Sequence, residues 1–406
     1  MRTVVVRYSA LLSNEAGIIV MDNIQNKAEK LSRQQIVTVT SGHMFHDMYT
    51  SFLAPLLPRI IENLSLSLTS AGVLSTMLQI PSILNPLIGY LADKKGVRFF
   101  VIFSPAVTAT VMSLLGISNH LYLVGLLLLL AGVSSASFHA TTPAVVGSAS
   151  REKTGWGMSL FMAGGGIGRT LGPLLVVWAV GQWGLEGTFR LMFIGWAASG
   201  LLFKQLQGVD IRPEKRPSLR ASLPDFKAFF LPLALVLLLR SFILAATNTY
   251  LPTFMVQSGA PLWMAGAALS TVELSGVGGG LVLGPISDTI GRKKSIAAAM
   301  LVSSLTLLGF LQVSGWLTIP FLILLGFFSR STGSLFLALV QDHFQGHRAT
   351  SNGVFMLISF LSNALMLVLV GYLGDRFGLR SAYHWASVAA FLSMVFIAVL
   401  PGSFHD

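Results

Sequence analysis

His43, His46 and Asp47 stand at positions i, i+3 and i+4 inside an otherwise apolar stretch, so a helix would carry all three on one face. A carboxylate in such a stretch is costly unless it faces a cavity and has a partner. Asp47 is therefore the first candidate for a group that takes up and releases a proton. His43 and His46, whose imidazoles titrate near neutrality, could relay it. Glu273 is a second carboxylate in an apolar run, and Arg169, Arg240, Arg330 and His139 lie in such runs too. Arginine grips a carboxylate or phosphonate through a two-pronged fork. Arg169, Arg240 and Arg330 against Asp47 and Glu273 leave one positive charge over when the histidines are neutral, which suits an anionic ligand. Asn248 and Tyr250, with Gln79, Asn85 and Asn363, are further hydrogen-bonding candidates. The same residues admit a plainer reading, in which Glu273 and Arg330 or Arg169 form a structural ion pair.

The elements that must hold these groups follow from composition. Only 11% of the 406 residues are charged and 53% are hydrophobic, with a mean hydropathy of +0.73. A soluble protein carries about 25% charged residues. A soluble enzyme, a disordered chain and a nucleic-acid binder are all excluded. The chain has no Cys, hence no disulfide and no thiolate metal site. Twelve apolar runs are each long enough to cross a bilayer core, which takes about 20 helical residues. They cover 36–60, 70–91, 98–118, 121–146, 156–180, 189–207, 229–256, 263–286, 294–314, 317–340, 351–374 and 381–401, and are called spans 1 to 12 below. The continuous runs exclude a β-barrel, which needs short alternating segments. The fold class is an all-α integral membrane protein.

The net charge of +11 is not gathered on one face. Lys and Arg sit in the short connections between spans, 20 in the N-terminal tail and even-to-odd connections against Arg59, Arg190, Arg376 and Arg380 on the other side. This asymmetry places both termini in the cytoplasm. Gly17–Met21 is too short for a signal-peptide core. Met21, followed by Asp22, is a second candidate for the start of the native chain.

The chain divides into a tail (1–35), a first six-helix bundle (36–207), a charged and proline-bearing linker (208–228), a second six-helix bundle (229–401) and a short tail (402–406). The bundles read as repeats. Gly89-Tyr-Leu-Ala-Asp93-Lys94-Lys-Gly96-Val-Arg98 follows span 2, and Gly284-Pro-Ile-Ser-Asp288-Thr-Ile-Gly291-Arg292-Lys293-Lys follows span 8. Gly184-Leu185 matches Gly378-Leu379, Pro58 matches Pro252, and His46 matches Arg240, all at nearly one offset. In the two Gly-Asp motifs the carboxylate is expected at the start of the following helix, at its positive dipole end. The adjacent cations would pair across the cytoplasmic face when the halves close there, forming a latch. Gly164, Gly168 and Gly172 recur every four residues ahead of Pro173, so they line one helix face and let a neighbour approach.

Two six-helix halves with Gly-xxx-Asp-xx-Gly-Arg-Lys-Lys after span 8, and a relaxed copy after span 2, resemble the major facilitator superfamily, a fold of nested repeats. The resemblance runs from span 1 to span 12. It implies a substrate site near the bilayer midplane between the halves, lined by spans 1 and 7 and reached alternately from each side. Several segments are similar to the fosmidomycin-resistance subfamily of bacterial efflux proteins. These are His43-Met-Phe-His46-Asp47, Ser134-Ser-Ala-Ser-Phe138-His139, Gly164-Gly-Gly-Ile-Gly168-Arg-Thr-Leu-Gly172-Pro173, and Gln341-Asp342 with Gly346 and Gly353. Within the resemblance, the Gly164–Pro173 run corresponds to the antiporter motif of exporters. The chain departs from the subfamily after His139. Ala140, Thr141, Thr142 and Pro143 replace an expected Pro-Glu and Arg, while Arg169, Glu273 and Arg330 stand where small or apolar residues are expected.

These features predict a proton-coupled exporter of a small anionic or amphipathic compound in a bacterial-type inner membrane. Its partners would be the substrate, protons and the lipid bilayer, with no nucleic acid, and it would act as a monomer because one chain holds both halves. The sequence has no metal-ligand spacing, no phosphate-binding loop after a strand and no nucleophile constellation, so neither an enzyme nor a cofactor is expected. Uptake symport of an organic anion, lipid or lysolipid flipping, and a sensor without flux remain open from sequence.

Overall fold

The computed structural model describes residues 15–85, 88, 98–150, 154–206, 223–344, 348–398 and 400. Gly89, Asp93 and Lys94 of the first Gly-Asp motif lie outside the described residues, as do residues 207–222 and 401–406, and of Arg98 only the backbone is described; residues 223–228, read from sequence as linker, already belong to the helix of span 7. The described residues are helical throughout, with no strand among them.

Each apolar run becomes a helix or a broken pair of helices. Spans 3, 4 and 5 are Arg98–Ser113, Leu121–Ser150 and Thr154–Trp183, and spans 8 to 11 are Leu262–Ile290, Arg292–Phe310, Thr318–His343 and Arg348–Phe377. With span 7 these are the eight helices long and apolar enough to cross a membrane by themselves. The other four owe their weaker signal to breaks and polar residues. Span 1 is split into Glu15–Thr50 and Leu53–Leu64, span 2 is Leu68–Met77 plus a tight turn Ile80–Leu84, and span 6 enters through Glu186–Leu191 before Met192–Gln205. Span 12, Leu379–Ile397, opens on Arg380, Tyr383 and His384. The segment 15–35, read from sequence as part of a tail, is continuous with the helix of span 1.

Spans 1 and 7 break at matching places, and proline explains both. Pro55 and Pro58 have no N–H to give to Ser51 and Ala54, and span 1 bends at Ser51–Phe52. Span 7 runs as Leu223–Ala245, widens into a π-turn at Ala246–Tyr250, and resumes as Leu251–Gln257 with Pro252 in its first turn. Tyr383 of span 12 steadies that turn by donating to the Ala246 carbonyl at 2.7 Å. Such interruptions survive in a membrane where the freed groups face protein rather than lipid.

Lipid offers no hydrophobic drive for helix association, so small residues set the packing. Span 1 lies along span 5, span 5 along span 8, span 8 along span 10, and span 2 along span 11. The glycine face anticipated on span 5 meets span 1: Gly164 faces Thr40, Gly168 the Met44 carbonyl and Gly172 the Met48 carbonyl. Span 8 ends at Ile290, where Gly291 takes φ 103°, and span 9 begins at Arg292. Asp288 thus lies in the last turn of span 8, not at the start of the next helix as sequence suggested. A carboxylate is unfavourable at a helix C-terminus, and Arg292 offsets it by pairing with Asp288. Arg292 also donates to Asp342 Oδ2 of span 10 at 3.1 Å, and Lys293 to the Leu400 carbonyl at 2.6 Å. His343, in the last turn of span 10, stacks on Phe229 at 4.4 Å.

Candidate functional site

A cavity of about 500 Å³ lies between the halves, lined by spans 1, 2, 4, 5, 7, 8, 10 and 11. One wall carries nearly all the ionisable groups anticipated from sequence: Asp47, His139, Arg169, Arg240, Glu273 and Arg330. The facing wall on spans 2 and 11 is uncharged, with Gln79, Ser82, Asn85, Ser359 and Asn363. Asn363 donates to Gln79 Oε1 at 2.9 Å, while the side-chain oxygens of Asn85, Ser359 and Asn363 have no partner among the described residues. Asn248 lines the cavity beside the π-turn of span 7.

Asp47 is the hub. Its side chain is about 3% exposed and accepts Arg169 from span 5 on Oδ2. His43 Nε2 is 3.3 Å from the same oxygen, and His139 Nε2 of span 4 is 3.3 Å from Oδ1. The other ring nitrogen of His43 lies 2.7 Å from the Phe161 carbonyl. That carbonyl can only accept, so Nδ1 must carry the ring proton. A neutral His43 then turns a bare Nε2 lone pair toward a carboxylate, which is repulsive. A second proton, on Nε2 or on Oδ2, converts the contact into a hydrogen bond. The contact between His43 Nε2 and Asp47 Oδ2 thus has room for one hydrogen between the two heavy atoms.

The geometry depends on a residue that the sequence reading passed over. Gly165, inside the glycine run but off the Gly164–Gly168–Gly172 face, lies directly beneath the His43 ring. A Cβ there would come within 2.8 Å of Asp47 Oδ2 and closer still to the imidazole. Gly165→Ala is expected to push His43 off Asp47, abolishing proton coupling while thermal melting in detergent stays within a few degrees of wild type. Retained coupling in that variant would show that the contact is dispensable.

Arg169 joins the halves. Besides Asp47 of the first half, it donates through Nε to Glu273 Oε2 of the second at 3.4 Å. Glu273, about 10% exposed at its side chain, also pairs with Arg330 from span 10. Gly276 makes room for the Arg330 stem. Asp47, Arg169, Glu273 and Arg330 thus form one chain of alternating charge across the interface. The ion pairing that sequence left as an alternative is present, in cavity-lining residues. Arg240 is outside this chain. Its Nε donates to Thr332 Oγ1 at 2.6 Å, its guanidinium sits 5.6 Å from the Phe336 ring centre, and Gly333 leaves it space. No carboxylate lies within ion-pair distance of Arg240 among the described residues.

Two anticipated residues are placed differently from the rest. His46, fully buried, stacks on Phe138 at 4.5 Å, and its Nδ1 lies 3.3 Å from Thr108 Oγ1. Thr108 passes its proton to Ser134 Oγ, which donates to the Ser104 carbonyl. This chain ends on a carbonyl and ties span 1 to spans 3 and 4, away from the Asp47 carboxylate. Tyr250 is fully buried and does not line the cavity as a substrate contact would; its hydroxyl lies 2.9 Å from the Leu68 carbonyl and 3.0 Å from that of Leu367. Its aromatic body and single proton are consumed in joining spans 2, 7 and 11. His43, Asp47 and His139 offer three donors within 4.8 Å of one another, close enough for a metal ion. The Arg169 guanidinium on the same carboxylate already puts a positive charge there, which opposes a second cation.

Sequence comparison places these features among known proteins. The family model of the Major Facilitator Superfamily matches residues 39–366. The fosmidomycin resistance protein of Escherichia coli K12 is 25% identical over 381 residues, covering 90% of this chain and 92% of its own. The multidrug resistance protein MdtG of Klebsiella pneumoniae is 25% identical over 295 residues, covering 68% and 71%. Among solved structures, the nucleoside transporter NupG superposes with a TM-score of 0.73 at 14% identity, over 90% of this chain and 99% of its own. A bacterial homologue of the lysosomal transporter Spinster gives 0.69 at 12% identity, over 91% and 95%. The match over most of the chain, the twelve-helix fold and the cavity between two halves together identify a multi-pass membrane transporter, not an enzyme, and the chain belongs to the Major Facilitator Superfamily.

Proposed function

We propose that this transporter exports a small anionic or amphipathic compound in exchange for protons. The observation that carries the reading is the contact of His43 with Asp47, joined through Arg169 to Glu273 on the opposite half and lining the same cavity as Arg240, which has no carboxylate partner among the described residues. An anionic substrate group would rest on Arg240, whose fork suits a carboxylate or phosphonate. A hydrogen-bond donor at its other end would reach Asp47, where it competes with the proton. Competition for one carboxylate is what couples exchange: loading substrate from one side expels the proton, and rebinding the proton from the other expels substrate. The oxygens of Asn85, Ser359 and Asn363 on the facing wall would receive further donors, favouring a compound with a hydrogen-bonding body over a purely apolar one. The two relatives that bear resistance names support export.

Uptake of an anion together with protons is the second reading, and one feature favours it. A substrate with no donor end would draw Arg169 from Asp47, and Asp47 without its guanidinium holds a proton more readily, so substrate and proton would bind together. In either case the proposal has the Gly291–Arg292 end and both termini in the cytoplasm of a bacterial inner membrane, which the positive-inside pattern supports, and the protein acting as a monomer, which one chain holding both halves supports.

The test is pH-gradient measurement in inverted membrane vesicles acidified inside, with fosmidomycin and simple organic acids added in turn. Exchange predicts that an effective compound raises lumenal pH; co-transport predicts that the same addition acidifies the lumen further. Flux of labelled compound with no pH change of either sign would remove proton coupling from the reading.

A further inference from the structure

The chain contains the Gly-xxx-Asp-xx-Gly pattern a third time. Gly371-Tyr-Leu-Gly-Asp375-Arg-Phe-Gly378-Leu-Arg380 shares Gly, Tyr, Leu, Asp, Gly and Arg, in register, with Gly89-Tyr-Leu-Ala-Asp93-Lys-Lys-Gly96-Val-Arg98. The first of these copies ends span 2 and the other ends span 11, which pack against each other between the halves. Consecutive spans alternate in direction, so the copies belong to opposite ends of the bundle.

At the span 11 end the structure shows what the motif does. Asp375 lies in the last turn of its own helix, where the dipole disfavours a carboxylate. Its partners are all on the other half. Oδ1 accepts from Leu68 N at 2.7 Å, and Oδ2 accepts from Thr69 N at 2.8 Å and Thr69 Oγ1 at 2.5 Å. Leu68 and Thr69 are the first residues of the span 2 helix, whose N–H groups have no partner within the helix. Ser67, the helix's own cap, accepts from Ser70 N at 3.0 Å. Asp375 therefore completes the capping of a helix in the opposite half and meets its positive end. Below it, Tyr250 bridges the Leu68 and Leu367 carbonyls. Gly72 and Gly371 sit where a Cβ would come within 2.6 Å of the Tyr250 hydroxyl, so spans 2 and 11 cross with nothing between their backbones.

We propose that Asp375 is a positioning residue of the transport cycle: by capping span 2 it holds this end of the cavity closed, as the counterpart of the latch expected around Asp93, and it must let go before the cavity opens here. The inference is independent of which compound is carried. It goes beyond a packing role because a negative charge at this place has no benefit within its own helix and acts only while the halves are together.

The chain's lack of Cys allows labels at chosen positions. In the full-length protein in nanodiscs, spin labels on Asn63→Cys and Ser258→Cys, exposed residues at this end of opposite halves, report the separation by pulsed electron resonance. Asp375→Asn is expected to raise the ratio of separated to closed molecules about fivefold, the effect of losing roughly one N-cap. Asp375→Glu should restore the wild-type distribution, and the melting temperature should be unchanged in both. A distance distribution in Asp375→Asn equal to wild type overturns the proposal, as does an Asp375→Glu variant that behaves like Asp375→Asn. Should Asp375→Asn fail to fold, Thr69→Val, which removes one accepted bond and keeps the charge, is judged by the same criterion: a smaller shift in the same direction supports the latch, and no shift overturns it.

Discussion

In Asp47→Asn, substrate-driven proton movement is expected to collapse while the fold remains. The amide is isosteric and still accepts from Arg169, but it neither carries the charge that makes the His43 contact proton-dependent nor takes up a proton itself. Arg169 keeps Glu273 as a partner, so no guanidinium is left wholly unpaired, and the large penalty of an uncompensated buried charge is avoided. Losing the charge assistance of one of the carboxylate's bonds costs about 1.5–3 kcal/mol, so the pH signal should fall by tenfold to over a hundredfold. The measurement is the lumenal pH signal in inverted vesicles, run beside labelled-compound flux. An undiminished pH signal would move coupling off span 1, with Glu273 next in line. Loss of both signals together with a lowered melting point would mean that the variant reports on folding instead.

Replacing Arg240 by Gln has its largest effect on affinity. This guanidinium is the one cavity cation without a carboxylate among the described residues, so it has most to gain from an anionic substrate. Losing a charged hydrogen bond of about 1.5–3 kcal/mol weakens binding by tenfold to over a hundredfold. Arg240→Lys should fall between, because an ammonium keeps the charge but not the fork. The pH dependence of transport should stay as in wild type, since Arg240 touches Thr332 and Phe336 and not Asp47. Half-saturation measured for an anionic compound and for its amide or ester separates the cases. Equal weakening for both would show that Arg240 shapes the cavity without reading charge. No weakening for the anion would remove it from the site.

Composition and pattern were enough for the fold. Twelve apolar runs, the repeat offset and the placement of Lys and Arg all express constraints that act along the chain, because bilayer thickness and backbone satisfaction leave helices as the one solution for such runs. The glycine face of span 5 was legible for the same reason: a period of four is a property of one helix. The ionisable residues were legible as a set, since each is too costly in an apolar run to be there without purpose.

Their partners were not legible. Which cation takes Asp47, which arginine remains free, and that His46 leads to Thr108 and Ser134 while His43 turns to Asp47, depend on how spans from both halves meet. Sequence spacing put His43 and His46 on one face, and a neighbour on either side of that face separated their roles. Tyr250 read as a candidate for hydrogen bonding in the cavity, yet its hydroxyl reaches carbonyls of spans 2 and 11. Nothing in its own segment singles out Asp375, whose partners at the start of span 2 lie more than three hundred residues earlier. Gly165 had no periodic reason to matter until His43 lay over it. One-dimensional patterns record what a residue costs in its own helix, whereas distances between helices decide what it does. In this protein the sequence determined the architecture and the inventory of charges, and the tertiary packing of spans 1, 5, 8 and 10 assigned those charges their partners.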